Sequence, residues 1–152
     1  MFVAELPDWV LAPEVSFSVF GERGVIDILA WHPGRRVLLL IELKTGIADV
    51  NEMVGTFDRK RRLARTIARE RGWDPLTIGA WVIVATTRTN RRRIEEHRMM
   101  LRLAFPSDGR TMAAWLRAPA GPVAALSFWS KLDAGRCDQG SVRRVRAVRC
   151  HQ

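Results

Sequence analysis

The sequence is poor in the residues that build disulfide frameworks and zinc sites. Only two cysteines occur in 152 residues, Cys137 and Cys150, and their spacing matches neither a disulfide framework nor a CxxC zinc pair. The three histidines, His32, His97 and His151, are scattered and support neither a Ser-His-Asp arrangement nor a zinc quartet. This cysteine usage fits a reducing compartment, and we expect a cytoplasmic protein.

Long apolar runs and phosphate-cradling loops are also missing. No apolar run approaches the roughly 18 residues of a membrane span, and the segment Met1 to Trp9 carries Glu5 and Asp8 instead of the basic start of a signal peptide. No GxxxxGK[ST] or GxGxxG motif follows a strand pattern. We therefore expect no membrane partner and no export.

The length and the hydrophobic content suit one sizeable core. The chain is 47% hydrophobic, which gives a domain of this length enough apolar surface to bury. From Lys131 onward the hydrophobic pattern fails, and six basic residues face two acidic ones. We predict one domain over residues 1–130, followed by a flexible basic tail over residues 131–152.

Positive charge is concentrated outside the first third of the chain. The formal net charge is +9, but Met1 to Thr56 holds 4 basic and 8 acidic residues, so this segment carries −4 and the remainder +13. Phe57 to Arg71 has 7 basic against 2 acidic residues, and Arg88 to Arg98 has 5 against 2. Such clusters attract polyanions, most commonly phosphate backbones. An ordinary solvated helix face has the same composition and stays the alternative for each cluster.

Hydrophobic periodicity predicts a mixed α/β sheet. Helical spacing predicts a helix from the N-cap Asp49 to about Arg71, a basic helix from Thr89 to about Leu103, and a short helix at Met112 to Arg117. The order of three strands, helix, strand, helix and strand predicts a sheet flanked by helices. The predicted strands are Glu14 to Phe20, Gly24 to Trp31, Arg36 to Leu43, Leu76 to Ala85 and Val123 to Trp129.

Three charged residues interrupt strands that are otherwise apolar, where an unpaired charge is most costly. Asp27 lies in VIDIL, and Glu42 and Lys44 lie in LLIELKTG. With a side-chain period of two, Glu42 and Lys44 share one face, and Leu43 faces the opposite core. This convergence is typical of a functional site. The alternative is a buried salt bridge in which Lys44 neutralises Glu42.

The turn at Pro33-Gly34 decides whether the two acids meet. A loop of two or four residues pairs Trp31 with Arg36 and leaves Glu42 diagonal to Asp27, at roughly 7 to 8 Å. A loop of odd length separates the two acids. Two carboxylates at that separation repel each other unless a cation lies between them, and a hard divalent ion accepts such ligands. We therefore predict an Mg²⁺ or Mn²⁺ site.

These residues carry a family resemblance. Asp27, fourteen further residues and then Glu42-Leu43-Lys44, set in a strand, turn, strand and helix, resemble the PD-(D/E)XK superfamily of restriction endonucleases and archaeal Holliday-junction resolvases. The stretches FGERGVIDILAWHP, LLLIELKTGIADVNEMVGTFDRKRRLA and RERGW are similar to the nuclease-like domain of actinobacterial proteins, which often follows a helix-turn-helix segment. The resemblance covers about Glu14 to Trp129 and implies a restriction endonuclease-like fold.

The resemblance implies metal-dependent hydrolysis of phosphodiester bonds in DNA. Asp27 and Glu42 would hold Mg²⁺ or Mn²⁺, with the backbone carbonyl of Leu43 as a further ligand, and Lys44 would position or activate the attacking water. Many enzymes of this superfamily act as dimers. A homodimer and a separate DNA-binding partner are therefore both compatible with it.

The resemblance also suggests accessory residues. Relatives usually have a longer helix before the first strand, often with an acid near the site, and Glu5 and Glu22 are the candidates for that acid here. Asn51 occupies the position where we expect glutamine in close relatives. Five basic residues of the helix after Asp49 lie largely off its apolar stripe, and we predict that they contact the phosphate backbone. They are Arg59, Lys60, Arg62, Arg65 and Arg69.

Two non-enzymatic functions stay open beside the nuclease. One is a catalytically inactive DNA-binding or regulatory domain that keeps the nuclease fold. This domain would tolerate alanine at Asp27, Glu42 and Lys44 with little loss of DNA affinity. The other is a protein-interaction module whose arginines meet an acidic partner, and it would bind no nucleic acid.

Overall fold

Two antiparallel hairpins and two parallel crossovers build the sheet in chain order. The computed structural model describes residues 6–129. Strands β1 to β3 pair antiparallel, and β3–β4 and β4–β5 pair parallel. The predicted α/β class with a mixed sheet flanked by helices is confirmed. The strands are β1 (Val10–Val19), β2 (Glu22–His32), β3 (Val37–Lys44), β4 (Thr77–Ala85) and β5 (Ala124–Trp129).

Four helices connect and cover the strands: α1 (Val50–Glu70), α2 (Arg88–Glu96), α3 (Arg98–Ala104) and α4 (Gly109–Arg117). Helix α1 begins after Asp49, as predicted, because the Asp49 side chain accepts a hydrogen bond from the Glu52 N–H at 3.1 Å. The prediction of one basic helix from Thr89 is wrong, since two helices cover this stretch.

The division between α2 and α3 falls at His97. This residue has φ −112° and ψ 20°, outside the helical region, and its Nδ1 lies 3.0 Å from the carbonyl oxygen of Arg93. Helix α4 begins at Gly109, three residues before the predicted short helix. Asp108 is its N-cap, and hydrogen bonds from Thr111 lower the pKa of this carboxyl.

The sheet is buried on both faces, as expected for the near-continuous apolar run of β3. Helix α1 packs on one face, where Phe57 and Ile67 join a core that includes Leu38 and Leu40. Helix α4 covers the other face, where it packs against the side of β3 that carries Leu39. This arrangement leaves the C-terminal ends of the parallel strands β3 and β4 at one edge of the sheet.

The β1–β2 hairpin has an irregularity beside Asp27. Ala12 and Val15 both enter the core under α1, although they lie three positions apart, an odd number, so the alternation of β1 shifts between them. Glu14 lies at this shift with φ 49°, an uncommon value for a residue other than glycine. Asp27 lies in β2 at the level of Glu14, between the partners of Pro13 and Val15.

Several sequence predictions fall outside residues 6–129. They concern the basic tail over residues 131–152 and the accessory acid Glu5. Within residues 6–129 no helix is long and apolar enough to cross a membrane.

Candidate functional site

In the β2–β3 pairing, Asp27 and Glu42 lie on the same face of the sheet, as predicted, but the register differs from the predicted one. Trp31 pairs with Leu38, so the predicted pairing with Arg36 is wrong. The shift is two residues, an even number, and it therefore changes no side chain's face. Asp27 and Glu42 are the next residues on their strands after the last pair of this ladder. The two acids thus lie level with each other and not diagonally.

Asp27 binds the backbone of the Glu42-Leu43-Lys44 segment. Its Oδ2 accepts a hydrogen bond from the Leu43 N–H at 2.7 Å, a short distance typical of a charged acceptor. Its other carboxylate oxygen has no hydrogen-bond partner among residues 6–129. Asp27 therefore holds the end of β3 and keeps one oxygen available to a ligand.

Glu42 is the most deeply buried acid of the site, with 2% of its surface exposed. The Lys60 ammonium contacts both of its carboxylate oxygens, at 2.9 Å from Oε1 and 2.8 Å from Oε2. Lys44 Nζ lies 3.6 Å from Oε2, and about a third of its side chain is exposed. Burial of a carboxylate requires such partners, because an unpaired charge would lose its hydration without compensation.

Lys60 is not where the sequence predicted it. It lies on the buried face of α1, in line with Phe57, Ala64 and Ile67, at the helical spacing that the core uses. The prediction that it lies off the apolar stripe is wrong. Its long side chain crosses from the helix to the sheet and ends on Glu42. The signal was present in the spacing, but the surrounding arginines obscured it.

Two arginines of α1 hold Glu22, the predicted accessory acid. Arg62 Nη2 lies 2.8 Å from Glu22 Oε1, and Arg59 Nε lies 3.6 Å from Glu22 Oε2. No hydrogen bond or ion pair joins Glu22 to Asp27 or Glu42 among the residues described. Glu22 therefore ties the start of β2 to α1.

The other predicted phosphate contacts on α1 also have partners within the chain. Arg65 donates hydrogen bonds to the carbonyl oxygens of Pro75 and Leu76, and Arg69 Nε lies 3.4 Å from Asp74 Oδ1. These contacts attach the end of α1 to the segment before β4. Binding of phosphate by the helix stays a prediction.

Two further predicted residues, Leu43 and Asn51, have exposed side chains. The Leu43 side chain is 48% exposed, so the prediction that it faces the opposite core is wrong. Its backbone remains in the site through the bond to Asp27. Asn51 is exposed in the first turn of α1, and its side chain makes no hydrogen bond within residues 6–129. The structure thus brings together Asp27, Glu42, the Leu43 backbone and Lys44.

Asn90 is a structural residue of this edge that sequence reasoning missed. It is 2% exposed, and its Oδ1 accepts from the Ile47 N–H at 3.1 Å. Its Nδ2 donates to the carbonyl oxygens of Thr45 and Ala85, at 3.1 and 2.9 Å. One amide side chain thereby joins the loop after β3 to the end of β4. A polar residue among arginines predicts exposure, so the sequence carries no signal for this role.

The donor chemistry of the site suits a hard cation. Asp27 and Glu42 offer carboxylate oxygens, the ligands that Mg²⁺ prefers, and the Lys60 ammonium shows that the position beside Glu42 accepts positive charge. A metal would have to compete with Lys60 there. Within residues 6–129 no three His, Cys, Asp or Glu side chains form a group that could hold a metal ion. The metal site predicted from the sequence stays a prediction.

Comparison with known proteins gives no match: neither a family model, nor a curated protein, nor a solved structure matches the chain.

Proposed function

We propose that this protein is a metal-dependent endonuclease-like domain of the PD-(D/E)XK superfamily, acting on phosphodiester bonds of DNA in the cytoplasm. The observation that supports it best is the meeting of Asp27 with the Glu42-Leu43-Lys44 segment at one edge of the sheet. Asp27 bonds the Leu43 N–H at 2.7 Å, and Lys44 reaches to 3.6 Å from Glu42. Two acids and a lysine on adjacent strands match the chemistry of phosphodiester hydrolysis.

Each residue has a distinct role in this proposal. Asp27 and Glu42, together with the Leu43 carbonyl, would hold Mg²⁺ or Mn²⁺. When bound, such an ion would polarise the scissile phosphate and lower the pKa of a coordinated water. Lys44, whose side chain is 32% exposed, extends from the buried Glu42 toward solvent. Its ammonium would orient the attacking water and stabilise the negative charge that develops on the phosphate.

The test is nicking or linearisation of supercoiled plasmid by the purified protein with Mg²⁺ or Mn²⁺. We expect cutting that EDTA abolishes and that Lys44→Ala and Asp27→Asn each lower at least about 100-fold, the scale of losing one transition-state donor. Arg35→Ala, a change on an exposed turn at the opposite end of β3, serves as the matched control and should cut like the wild type. Cutting that persists in EDTA would contradict the proposal.

A second candidate is a catalytically inactive DNA-binding domain that keeps the nuclease fold. The occupation of both Glu42 oxygens by Lys60 favours it, since a buried ion pair with this geometry is complete without a metal. In this case the plasmid stays intact but is retained in a gel shift that weakens as salt rises. Asp27→Ala would then leave the retention unchanged.

A further inference from the structure

An open groove lies beside the candidate site, at the C-terminal ends of the parallel strands β3 and β4. The groove has a volume of about 510 Å³, and the loop after β3 forms one wall while the start of α2 forms the other. Its lining includes Thr45, Ile47, Thr89 and Arg93. Crevices at the carboxyl ends of parallel strands are the usual ligand-binding position in α/β sheets. Asp27, Glu42 and Lys44 are not part of this lining, but Thr45 directly follows Lys44, so the groove begins one residue after the candidate site.

Two arginines of α2 are not used by the described part of the fold: Arg93 in the lining of the groove, and Arg88 between the lining residues Thr87 and Thr89. Among residues 6–129, the side chains of Arg88 and Arg93 have no ion-pair or hydrogen-bond partner, and Arg88 is exposed at the start of α2. Arg91 lies 4.8 Å from the Phe128 ring centroid and is also exposed. The acids of α2, Glu95 and Glu96, lie at its other end, where they pair with Arg98 and Arg92.

This situation contrasts with helix α1, whose basic residues the sequence predicted to contact phosphate. Arg59, Arg62 and Arg69 each lie within 3.6 Å of an acidic side chain of the same chain. A phosphate that binds there must compete with those carboxylates, whereas Arg88 and Arg93 have no such competitor. When a free guanidinium group neutralises a DNA phosphate, the counterions condensed on the DNA are released. This release drives the association of protein and DNA.

The groove is also held open by buried contacts. The side chain of Asn90 spans its two walls through the Ile47 N–H, the Thr45 carbonyl and the Ala85 carbonyl. Thr87 caps α2 by accepting a hydrogen bond from the Asn90 N–H at 3.1 Å. A site whose walls are fixed before binding loses less conformational freedom when its ligand arrives.

We propose that this groove, with the partly exposed Arg93 in its lining and the exposed Arg88 next to it on α2, binds the sugar–phosphate backbone of the DNA strand that runs past Lys44. This inference rests on the proposed function for the identity of the polyanion. It differs from the sequence prediction because it assigns the main backbone contact to Arg88 and Arg93 of α2, and not to the arginines of α1.

The experiment measures fluorescence anisotropy of a labelled 20-base-pair DNA duplex in EDTA, so that cleavage does not enter. The test variants are Arg88→Ala/Arg93→Ala and, separately, Thr89→Glu, which adds a repelling charge to the groove in the first turn of α2. An acid in the first turn favours the helix, so Thr89→Glu should keep α2 folded. The matched control is Arg35→Ala/Arg110→Ala, which removes the same charge from exposed positions away from the groove.

We expect the Arg88→Ala/Arg93→Ala variant to weaken binding by at least roughly tenfold. The slope of log affinity against log salt should become shallower by about 0.9 for each lost phosphate contact. Thr89→Glu should weaken binding as well, and the control should stay within about twofold of the wild type.

Three results would overturn the inference. Wild-type affinity in both groove variants would locate the contact elsewhere while leaving DNA binding intact. An equal loss of affinity in the control would show that the effect comes from the net charge of the protein and not from the position of the arginines. Absence of DNA binding by the wild type at low salt would overturn the inference together with the DNA part of the proposed function.

Discussion

The Lys60–Glu42 pair is the residue-scale feature on which both the stability of the domain and its proposed chemistry depend. Burying a carboxylate and an ammonium is costly, and their mutual attraction compensates only when the geometry is good. Here the ammonium reaches both carboxylate oxygens at 2.8 and 2.9 Å. Removing one partner would leave the other charge buried, which is worse than removing both.

We therefore expect Lys60→Met to destabilise the domain by about 3 kcal/mol or more, the scale of breaking one side of a buried pair. Lys44→Met, at the longer distance of 3.6 Å and closer to solvent, should cost less than about 1 kcal/mol. Urea unfolding at pH 7 measures both values.

The matched control is the double variant Glu42→Leu/Lys60→Met, which removes both buried charges and should recover most of the stability lost in Lys60→Met. Equal losses for Lys60→Met and Lys44→Met would contradict the dominant role assigned to Lys60.

The same residues show what a sequence can predict at this scale. Asp27, Glu42 and Lys44 were predictable because a charge inside an apolar strand is costly and therefore conspicuous. Lys60 was not, since it stands among Arg59, Arg61 and Arg62, and a run of basic residues resembles a solvated face. Its helical spacing from Phe57 and Ala64 does place it on the apolar face, but the arginines on either side obscured that signal.

At the scale of elements, local periodicity predicted β2 to β5 and α1 to within two residues, because their apolar faces are long and Asp49 caps α1. The start of β1 was missed, since this strand begins at Val10, four residues before the predicted Glu14. The division of the second basic helix at His97 could not be predicted from helix-breaking residues, since the stretch from Thr89 to Leu103 contains no glycine or proline. The register of the β2–β3 hairpin was also missed. The four-residue loop begins after His32, one residue later than predicted. Each residue of β2 therefore pairs with a β3 residue two positions further along the chain than predicted.

Packing of α4 on the sheet depends on a small residue in β4. A Cβ atom at Gly79 would lie 2.9 Å from Val123 Cγ1 and 3.1 Å from atoms of Leu39 and Trp115. We expect Gly79→Ala to destabilise the domain by about 1 to 3 kcal/mol, because the crowded side chains must shift. Thermal unfolding followed by circular dichroism measures the change.

Gly55 provides the opposite case within α1. A Cβ atom there meets no heavy atom within 4 Å, and alanine is favoured over glycine in a helix interior, so Gly55→Ala should raise stability by about 0.5 to 1 kcal/mol. Unchanged stability in Gly79→Ala would show that the close approach at Gly79 does not limit packing. A loss of stability in Gly55→Ala would contradict the open space around Gly55.

At the scale of the whole molecule, charge is unevenly distributed. The residues beyond Thr56 carry +13, whereas the segment up to Thr56 carries −4 and contains Asp27 and Glu42. The positive field of such a molecule attracts a polyanion, while the negative charge of the two acids favours a cation beside it. Both properties follow from composition, but the neutralisation of the α1 arginines by acids of the same chain follows only from the fold.

A polyanion that binds only the folded domain must stabilise it by mass action. Free duplex DNA at 100 times its dissociation constant should add about 2.7 kcal/mol to the free energy of unfolding in EDTA, and the gain should vanish at high salt. Thermal unfolding with and without DNA measures this gain. An uncharged methylphosphonate duplex of the same sequence is the matched control, since it keeps the bases but loses the phosphate charge. Equal stabilisation by the two duplexes would rule out the backbone as the group that the protein binds.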